Sequence, residues 1–591
     1  MGAIAGILGT EPENLDKMKL TMGKRAKFGT EQLDFPGGTL LHGISRHGRV
    51  HCLKKTQNRE TYDLVFSGEI FNSEELLQSL DLKDSKANTG ELVLQAYLKW
   101  GRECLNRLNG VFTLAVWEEK RRRLFLARDP MGVRPMFYLL QKHSLIFASE
   151  IKTILACPGV KAALTSQGAM ELVMLGPGRL PGSGVFKDIQ ELEPGYFAVY
   201  EHGKLKKSPY WQLTDGPHPE SFGETCEHVR YLVRDAVRRQ TAGQEDYGTF
   251  LSGGLDSSIL SAICAEGREV PLKTFSVDYL GNDENFVPGK YQPDSDGDYI
   301  ARMRQYLHCC HEQTVLTPED LSDSLQDAVM ARDLPGMGDV DASLLVFCRR
   351  VRKSVPMVLS GECADEIFGG YPWYRDPELR NRQGFPWARN TLLRKSLMAQ
   401  PPADAEDFVR SLWKQTCKEA DILPETGPED RRIRELTCLN MKWFMQTLID
   451  RNDRMSAAAD LEVRVPFCDV RIAEYLYRVP WDMKDHAGRE KGLLRQAAMG
   501  LLPEPVRLRR KSPYPKTFDP SYEDTVIRKV RSLLLEDSAI WCLLSRSAVL
   551  SMLSWETPEP WYGQLMRRPQ FAAWLLQMDF WLKHYNIELL F

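Results

Sequence analysis

Residues 247–266 read YGTFLSGGLDSSILSAICAE, and this stretch decides the fold class of the larger part of the chain. The short apolar run from Tyr247 to Leu251 is typical of a buried strand, and Ser258 to Glu266 has the pattern of a helix. The glycine-rich segment between them therefore lies where a strand meets a helix N-terminus. Backbone N–H groups and the helix dipole favour an anion at such a point, and glycine lets the backbone approach a phosphate closely.

Helical periods continue from Phe222 onward and are interrupted by two more short apolar runs, Leu272 to Val277 and Pro356 to Leu359. Strands that alternate with helices predict a parallel, doubly wound sheet. From about residue 430 the pattern is nearly all helical. We therefore expect an α/β domain with a helical C-terminal part.

The first 150 or so residues have a mostly strand-like pattern. Three apolar runs, Leu64 to Phe66, Val111 to Trp117 and Leu124 to Ala127, lie between turn residues. One helix is predicted over Gly90 to Trp100, because apolar residues recur there on one face. This pattern predicts a two-layered sheet domain with few helices.

The chain has 591 residues, more than one hydrophobic core usually serves, so two or three domains are expected. Residues 176–184 are dense in glycine and proline, as in a linker or a loop that crosses between domains. We place a first domain at residues 1–180, a linker region at 181–225 and a second domain at 226–591.

The composition is that of an ordinary globular protein. With 27% charged residues and a formal net charge of -3, neither nucleic acid nor an anionic membrane is expected as a partner. The sequence has no apolar run of 18 residues and no basic region followed by a long apolar one, so membrane spanning and secretion are not expected. Thirteen cysteines without a CxxC pair favour reduced thiols in the cytoplasm over a disulfide framework.

The loop SGGLDSS at residues 252–258 lacks the lysine of the common phosphate loop GxxxxGK[ST]. Its SGGxDS pattern resembles the pyrophosphate-binding loop of ATP pyrophosphatases, which cleave ATP between the α and β phosphates. Asp256 would repel phosphates unless a cation lay between them, and Mg²⁺ commonly binds carboxylate and phosphate oxygens together. The loop therefore predicts a second carboxylate at the end of another strand.

Residues 358–371, VLSGECADEIFGGY, repeat the order of apolar strand, Ser-Gly turn and acidic helix start. In a parallel sheet the end of this strand opens on the same crevice as the first loop. Asp365 is then the expected second carboxylate.

Several long segments resemble asparagine synthetases. SGECADEIFGGYPWY at 360–374 is similar to their SGExxDExFGGY segment, and DRMS at 453–456, LEVRVPF at 461–467 and RKSPYPKT at 510–517 match others. The resemblance implies an Ntn-type αββα sandwich of the class II glutamine amidotransferase kind, followed by an ATP pyrophosphatase domain. It also implies the family's reaction: ATP adenylates the side-chain carboxylate of aspartate, pyrophosphate leaves, and ammonia attacks the acyl-adenylate to give asparagine and AMP.

The resemblance also assigns roles to single residues. Asp256 and Asp365 would hold Mg²⁺ on the pyrophosphate, and Glu362 would orient or deprotonate ammonia. Lys511 would supply positive charge where the transition state gathers negative charge, although by composition alone it fits a solvated basic face. The implied contacts to ATP and its pyrophosphate are Leu251, Ser252, Gly253, Gly254, Asp256, Ser257, Val277, Ser360 and Gly361.

The expected glutamine site is altered. Glutamine-hydrolysing members begin Met-Cys-Gly-Ile, and their cysteine thiolate attacks the glutamine amide, whereas this chain has Gly2 at that point. Ser67 replaces an asparagine of the oxyanion hole, and Thr89 replaces the aspartate that holds the amine of glutamine. We therefore expect free ammonia to be the nitrogen donor. The remaining counterparts of that site are Gly68, Glu69 and, after a shifted alignment, Arg46.

Two other functions stay open from the sequence. One is an ATP-dependent intramolecular amide-forming cyclase, because β-lactam synthetases and lasso-peptide cyclases resemble this fold and also lack the cysteine. The other is a catalytically silent scaffold, which the intact acids and lysine of the nucleotide site oppose. The expected partners are small molecules, namely aspartate, ATP and ammonia or glutamine. A homodimer is compatible with the resemblance, but the sequence does not determine the oligomeric state.

Overall fold

The computed structural model describes residues 2–9, 15–45, 52–82, 87–288, 294–554 and 560–591. The chain forms two compact units, and the SGGLDSS loop belongs to the second. The first unit comprises Met1–Gly168, Leu180–Gln212 and Ile587–Phe591, and the second comprises Ala169–Arg179 and Leu213–Asn586.

The first unit is built on two six-stranded antiparallel sheets. Alternation along one strand shows how they pack: Leu64 and Phe66 belong to a core shared with the helix Thr89–Trp100, whereas Val65 belongs to a second core that also contains Ile4 from the other sheet. The predicted two-layered sheet domain and its helix are confirmed.

The strands of the first unit follow a spatial order that differs from their order in the chain. From edge to edge, one sheet contains Ile189–Glu191, Phe137–Gln141, Ser144–Ala148, Ala3–Leu8, Gly38–Gly43 and Thr30–Phe35. The other contains Lys204–Pro209, Tyr196–Glu201, Arg123–Arg128, Gly110–Glu118, Glu60–Ile70 and Cys52–Gln57. Ala163–Thr165 pairs in parallel with Glu588–Leu590, and the helices include Leu15–Thr21, Ser73–Ser79, Thr89–Trp100 and Ile151–Leu155.

The second unit is built on a five-stranded sheet in which every pairing is parallel, as the alternating pattern predicts. Its core joins Phe275 and Val358 of the strands to Leu344 and Phe347 of one long helix. In spatial order the strands are Cys310–Leu316, Lys273–Tyr279, Gly248–Phe250, Met357–Leu359 and Glu462–Arg464.

Helices make up most of the rest of the second unit, which confirms the predicted helical C-terminal part. Before residue 400 they include Phe222–Thr241, Leu255–Ala265, Gly297–Leu307, Pro318–Asp323, Leu325–Arg332, Asp339–Val351, Ala364–Phe368, Pro372–Arg375, Pro377–Asn381 and Thr391–Leu397. Later ones include Ala405–Lys418, Pro428–Leu439, Met445–Ala458, Val470–Arg478, Trp481–Lys484, Gly492–Ala497, Glu504–Arg507, Pro520–Leu533, Ile540–Leu543, Arg546–Leu553 and Arg568–His584.

One pair of cysteines does not follow the expectation of reduced thiols. Cys363 and Cys468 form a disulfide, and the other eleven cysteines, all within the described residues, are free. The fold brings this pair, 105 positions apart in sequence, to a Cα–Cα distance of 5.8 Å, which is the usual separation across a disulfide.

Helix length and hydropathy decide whether a helix can span a membrane. Across the described ranges, no helix is both long enough and apolar enough to cross a bilayer.

Lys484 gives a test of the packing inside the second unit. Its side chain is 3% exposed, and burial, with Arg434 nearby, lowers its pKa from 10.5 to about 7. Unfolding therefore takes up a proton between these two values, so this lysine destabilises the fold most below pH 7 and progressively less toward pH 10.

The variant Lys484→Met should accordingly have a free energy of unfolding about 2 kcal/mol higher than wild type near pH 7. This gain should shrink toward pH 10, and melting temperatures at both values measure it. Lys442→Met, at a side chain that is 42% exposed, is the matched control and should show no such pH dependence. A Lys484→Met protein that melts below wild type at pH 7 would contradict the prediction.

Candidate functional site

The SGGLDSS loop joins the strand Gly248–Phe250 to the helix Leu255–Ala265, as predicted, although the helix begins three residues before the predicted Ser258. Gly253 has φ 68°, and a Cβ there would lie 2.7 Å from Tyr299 Cβ. Conformation and space therefore both require glycine at this position. Ser252 Oγ lies 3.1 Å from Ser257 Oγ, so the loop also positions its own hydroxyl groups.

A cavity of about 220 Å³ lies at this helix N-terminus. Its walls include the carboxyl ends of the strands Gly248–Phe250 and Met357–Leu359 and the middle of the neighbouring strand Lys273–Tyr279. The carboxyl end of the strands is where a doubly wound sheet places a ligand. Gly253 is not among the lining residues because it faces Tyr299 and Ile300 instead. The other expected contacts to ATP all line the cavity: Leu251, Ser252, Gly254, Asp256, Ser257, Val277, Ser360 and Gly361.

The structure brings Asp256 and Asp365 together around two lysines. Lys491 Nζ lies 2.5 Å from Asp256 Oδ2 and 2.8 Å from Asp365 Oδ1, and Lys511 forms an ion pair with Asp365 Oδ2. Gly361 permits this approach, since a Cβ there would lie 3.0 Å from Asp256 Cβ. Lys511 thus lies in the cavity and not on a solvated basic face.

The two carboxyl groups differ in acidity. Burial tends to raise the pKa of Asp365, but Lys491 and Lys511 outweigh it and lower this pKa below the ordinary value. Burial raises the pKa of Asp256, with Asp365 adding to the effect and Lys491 opposing it. Asp365 is therefore the more firmly ionised member of the pair.

The sequence does not predict Lys491. It lies in GREKG, residues 488–492, which has the composition of an exposed charged turn. Its side chain is nevertheless 3% exposed, and its backbone is left-handed, with φ 54°, just before the helix Gly492–Ala497. Only the packing of the chain places this ammonium group between the two carboxylates.

The carboxylate oxygens of Asp256 and Asp365 are suitable ligands for Mg²⁺. Asp256 Oδ1 is buried and has no hydrogen-bond partner within the described part of the chain. No group of three or more His, Cys, Asp or Glu side chains suited to a metal occurs among the described residues. Two carboxylates without a full protein cage fit Mg²⁺, which usually takes one or two carboxylates and completes its shell with substrate phosphates and water.

Glu362 also lines the cavity, and its carboxylate has a partner that the sequence does not predict. Arg451 Nη2 donates a hydrogen bond to Glu362 Oε1 at 3.0 Å. The Arg451 side chain is 3% exposed, and its guanidinium lies over the Tyr514 ring at 5.1 Å from the centroid. Arg451 therefore connects Glu362 to the segment that follows Lys511.

The counterparts of a glutamine site lie in the first unit. Ser67 Oγ donates a hydrogen bond to the Gly2 carbonyl oxygen at 2.9 Å, so these two residues are brought together. A Cβ on Gly2 would lie 2.9 Å from the Gly43 carbonyl oxygen, closer than real Cβ atoms approach a backbone oxygen. Even the first carbon of a cysteine side chain would thus require the backbone to shift.

Three of the other counterparts, Gly68, Glu69 and Thr89, lie in the strand Glu60–Ile70 and the helix Thr89–Trp100. Gly68 has φ 144°, and a Cβ there would overlap the Val111 carbonyl oxygen at 2.0 Å, so strand pairing alone requires glycine. Glu69 lies next to the last residue of the strand Glu60–Ile70, and Thr89 is buried at the first position of its helix. Arg46 lies outside the described residues.

The fold and the cavity define an α/β nucleotide-site domain that follows an antiparallel sandwich in the chain. The asparagine synthase family model matches residues 228–583, and the glutamine amidotransferase domain model matches residues 50–211. The chain is 41% identical to asparagine synthetase [glutamine-hydrolyzing] 3 of Bacillus subtilis (strain 168), over 98% of this chain and 97% of that protein. It is 27% identical to asparagine synthetase [glutamine-hydrolyzing] 1 of the same organism, over 84% and 82%.

The chain belongs to the asparagine synthetase family. It is therefore an ATP-dependent carbon–nitrogen ligase with a glutamine amidotransferase-like domain, and ATP is its substrate.

Proposed function

We propose that the second unit uses ATP to adenylate the side-chain carboxylate of aspartate and that ammonia then gives asparagine, with release of AMP and pyrophosphate. One observation carries this proposal: Asp256, Asp365, Lys491 and Lys511 converge at the SGGLDSS loop, in the cavity that Glu362 also lines. The printed names of the relatives, asparagine synthetases, support aspartate as the acceptor.

In the adenylation step the cluster of Asp256, Asp365, Lys491 and Lys511 binds the departing pyrophosphate. Asp256 and Asp365 would hold Mg²⁺, which when bound offsets the charge of the phosphate oxygens. Lys491 and Lys511 then direct their ammonium groups toward those oxygens, where negative charge develops as the α–β bond breaks. Backbone N–H groups at the start of the helix Leu255–Ala265 add donors aimed at the same anion.

In the amidation step Glu362 acts on the nitrogen. Ammonia attacks the carbonyl carbon of the acyl-adenylate, AMP leaves with the electrons of its bond, and the attacking nitrogen loses a proton to the Glu362 carboxylate. Arg451 holds this carboxylate by the 3.0 Å hydrogen bond and so limits its orientation. The Glu362 side chain is 22% exposed and lines the cavity, so it is accessible to a small ligand.

We infer that ammonia, and not glutamine, is the nitrogen donor. No thiol or hydroxyl is available at Gly2, and the Gly43 carbonyl oxygen and the hydrogen bond from Ser67 crowd this position. The relatives' names describe glutamine hydrolysis in those proteins, so the use of ammonia is proposed for this chain from its own residues alone.

The donor is tested with purified protein, aspartate, ATP, Mg²⁺ and either ammonium or glutamine. Asparagine and pyrophosphate should form with ammonium, and glutamine should support a rate at least ~100-fold lower, because a missing nucleophile removes the covalent step. Glutamate release is measured in parallel, with a variant that lacks Gly2 as the control for contaminating glutaminase. Glutamate formation above that control would contradict the inference.

The same assay tests the acceptor. Pyrophosphate release that requires a larger carboxylic acid instead of aspartate would favour an intramolecular amide-forming cyclase. Absence of release with every acceptor tried would favour a silent scaffold.

A further inference from the structure

The disulfide Cys363–Cys468 lies in the turn that carries two acids of the cavity. Cys363 directly follows Glu362 and is two residues before Asp365. Cys468 ends the 3-10 turn Pro466–Cys468, which follows the neighbouring strand of the parallel sheet. The cysteines are 2% and 5% exposed, so the cross-link is internal to the second unit.

The backbone at Cys363 is unusual for a residue with a side chain. Its φ of 78° and ψ of -19° are left-handed, in the region that favours glycine. This conformation sets the direction of the chain between Glu362 and the short helix Ala364–Phe368. A covalent bond from Cys363 to the next turn opposes relaxation to a right-handed backbone, which would rotate the residues on either side.

Noncovalent contacts hold the same two segments together at other points. The Ser360 N–H donates to the Arg464 carbonyl oxygen at 2.8 Å, and the rings of Phe368 and Phe467 meet edge to face with centroids 6.2 Å apart. These contacts lie before Glu362 and after Asp365. The disulfide therefore lies between these contacts along the chain, within two residues of both acids.

We propose that Cys363 and Cys468 are positioning residues whose disulfide fixes the orientation of Glu362 and Asp365, so that reduction by a dithiol lowers the ligase rate. The proposal rests on the proposed functions of these two acids. In the reduction, one thiolate of the dithiol attacks a sulfur of the disulfide and its second thiolate resolves the mixed disulfide. The protein gains two electrons and two protons as two thiols, and the dithiol becomes a disulfide.

The test uses the full chain with dithiothreitol as the dithiol. Alkylation and peptide mass spectrometry give the fraction of Cys363–Cys468 that is cross-linked, and pyrophosphate release gives the rate. We expect the rate to fall in proportion to the reduced fraction and to reach about one-tenth of its starting value at full reduction, as for a lost positioning contact. The rate should return when glutathione disulfide restores the bond. An unchanged rate at full reduction would overturn the proposal.

Two variants make the test independent of how readily the buried bond is reduced. Cys468→Ala should lose about tenfold in rate and no longer respond to dithiothreitol. The double variant Cys363→Gly/Cys468→Ala should recover most of that rate, because glycine adopts the left-handed backbone without a cross-link. Because the double variant also lacks the disulfide, a recovered rate would show that the bond acts by positioning the acids and not only by stabilising the fold. A double variant that stays slow, or a Cys468→Ala protein with the wild-type rate, would refute the positioning role.

The affinity for Mg²⁺ and ATP gives a readout that needs no acceptor. Isothermal titration should show weaker binding in Cys468→Ala than in wild type and in the double variant, because Asp365 lies two residues from the bond. Equal affinity in all three proteins would contradict the proposal. An oxidised wild type that binds the nucleotide but does not act on aspartate would instead contradict the proposed function alone.

Discussion

Asp365→Asn should lower the rate of pyrophosphate release by about 1,000-fold, the upper range for loss of one preorganised electrostatic group. Asp365 accepts ion pairs from both Lys491 and Lys511, and the two lysines keep its pKa below the ordinary value. The neutral amide removes a ligand for Mg²⁺ and also releases both lysines from their shared anion. Initial rates with aspartate, ATP and ammonium over a range of Mg²⁺ concentrations measure the effect.

The magnesium series distinguishes the two consequences of this substitution. If Asp365 binds Mg²⁺, the variant should require a higher Mg²⁺ concentration for half its maximal rate, and more Mg²⁺ should recover part of the loss. Asp327→Asn is the matched control, because Asp327 forms a surface ion pair with Arg349 and is 34% exposed. A variant with a normal rate at every Mg²⁺ concentration would contradict both the proposed metal site and its assignment to Asp365.

The sequence predicts the parallel sheet largely because its central strands are buried on both faces and therefore read as continuous apolar runs. Two strands lack such an apolar run and are not predicted. Cys310–Leu316 lies at the sheet edge and has mostly polar, partly exposed side chains. Glu462–Arg464 is buried, but a charged residue at each end leaves no continuous apolar run, and the strand exists because it pairs with Met357–Leu359.

The candidate site likewise contains residues that the sequence predicts and residues that it does not. Asp256 and Asp365 each follow a Ser-Gly turn at a strand end, so local pattern and parallel topology suffice to place them together. Lys491, Arg451 and the Cys363–Cys468 bond depend on contacts between segments 89 to 235 positions apart. Charged and small residues of this kind have no local pattern that separates a buried position from an exposed one.

Within this cluster Lys491 allows a prediction that does not depend on the acceptor. Its ammonium lies between Asp256 and Asp365, and Lys491→Met would leave two buried carboxylates facing each other without that cation. We expect pyrophosphate release to fall ~100- to 1,000-fold, because a positive charge is lost where the leaving pyrophosphate develops negative charge. Burial and the mutual repulsion of the acids should also lower the melting temperature without Mg²⁺.

Added Mg²⁺ should then raise the melting temperature of Lys491→Met more than that of wild type, because a divalent cation restores opposite charge between the two carboxylates. Differential scanning fluorimetry with and without Mg²⁺, in the absence of nucleotide, measures this difference. Lys442→Met, which removes a lysine from an exposed pair with Glu419, should match wild type in rate and in Mg²⁺ response. If the Lys491→Met protein keeps its rate, Lys491 serves only to neutralise the acids in the folded chain, and the cluster acts on pyrophosphate through Lys511 alone.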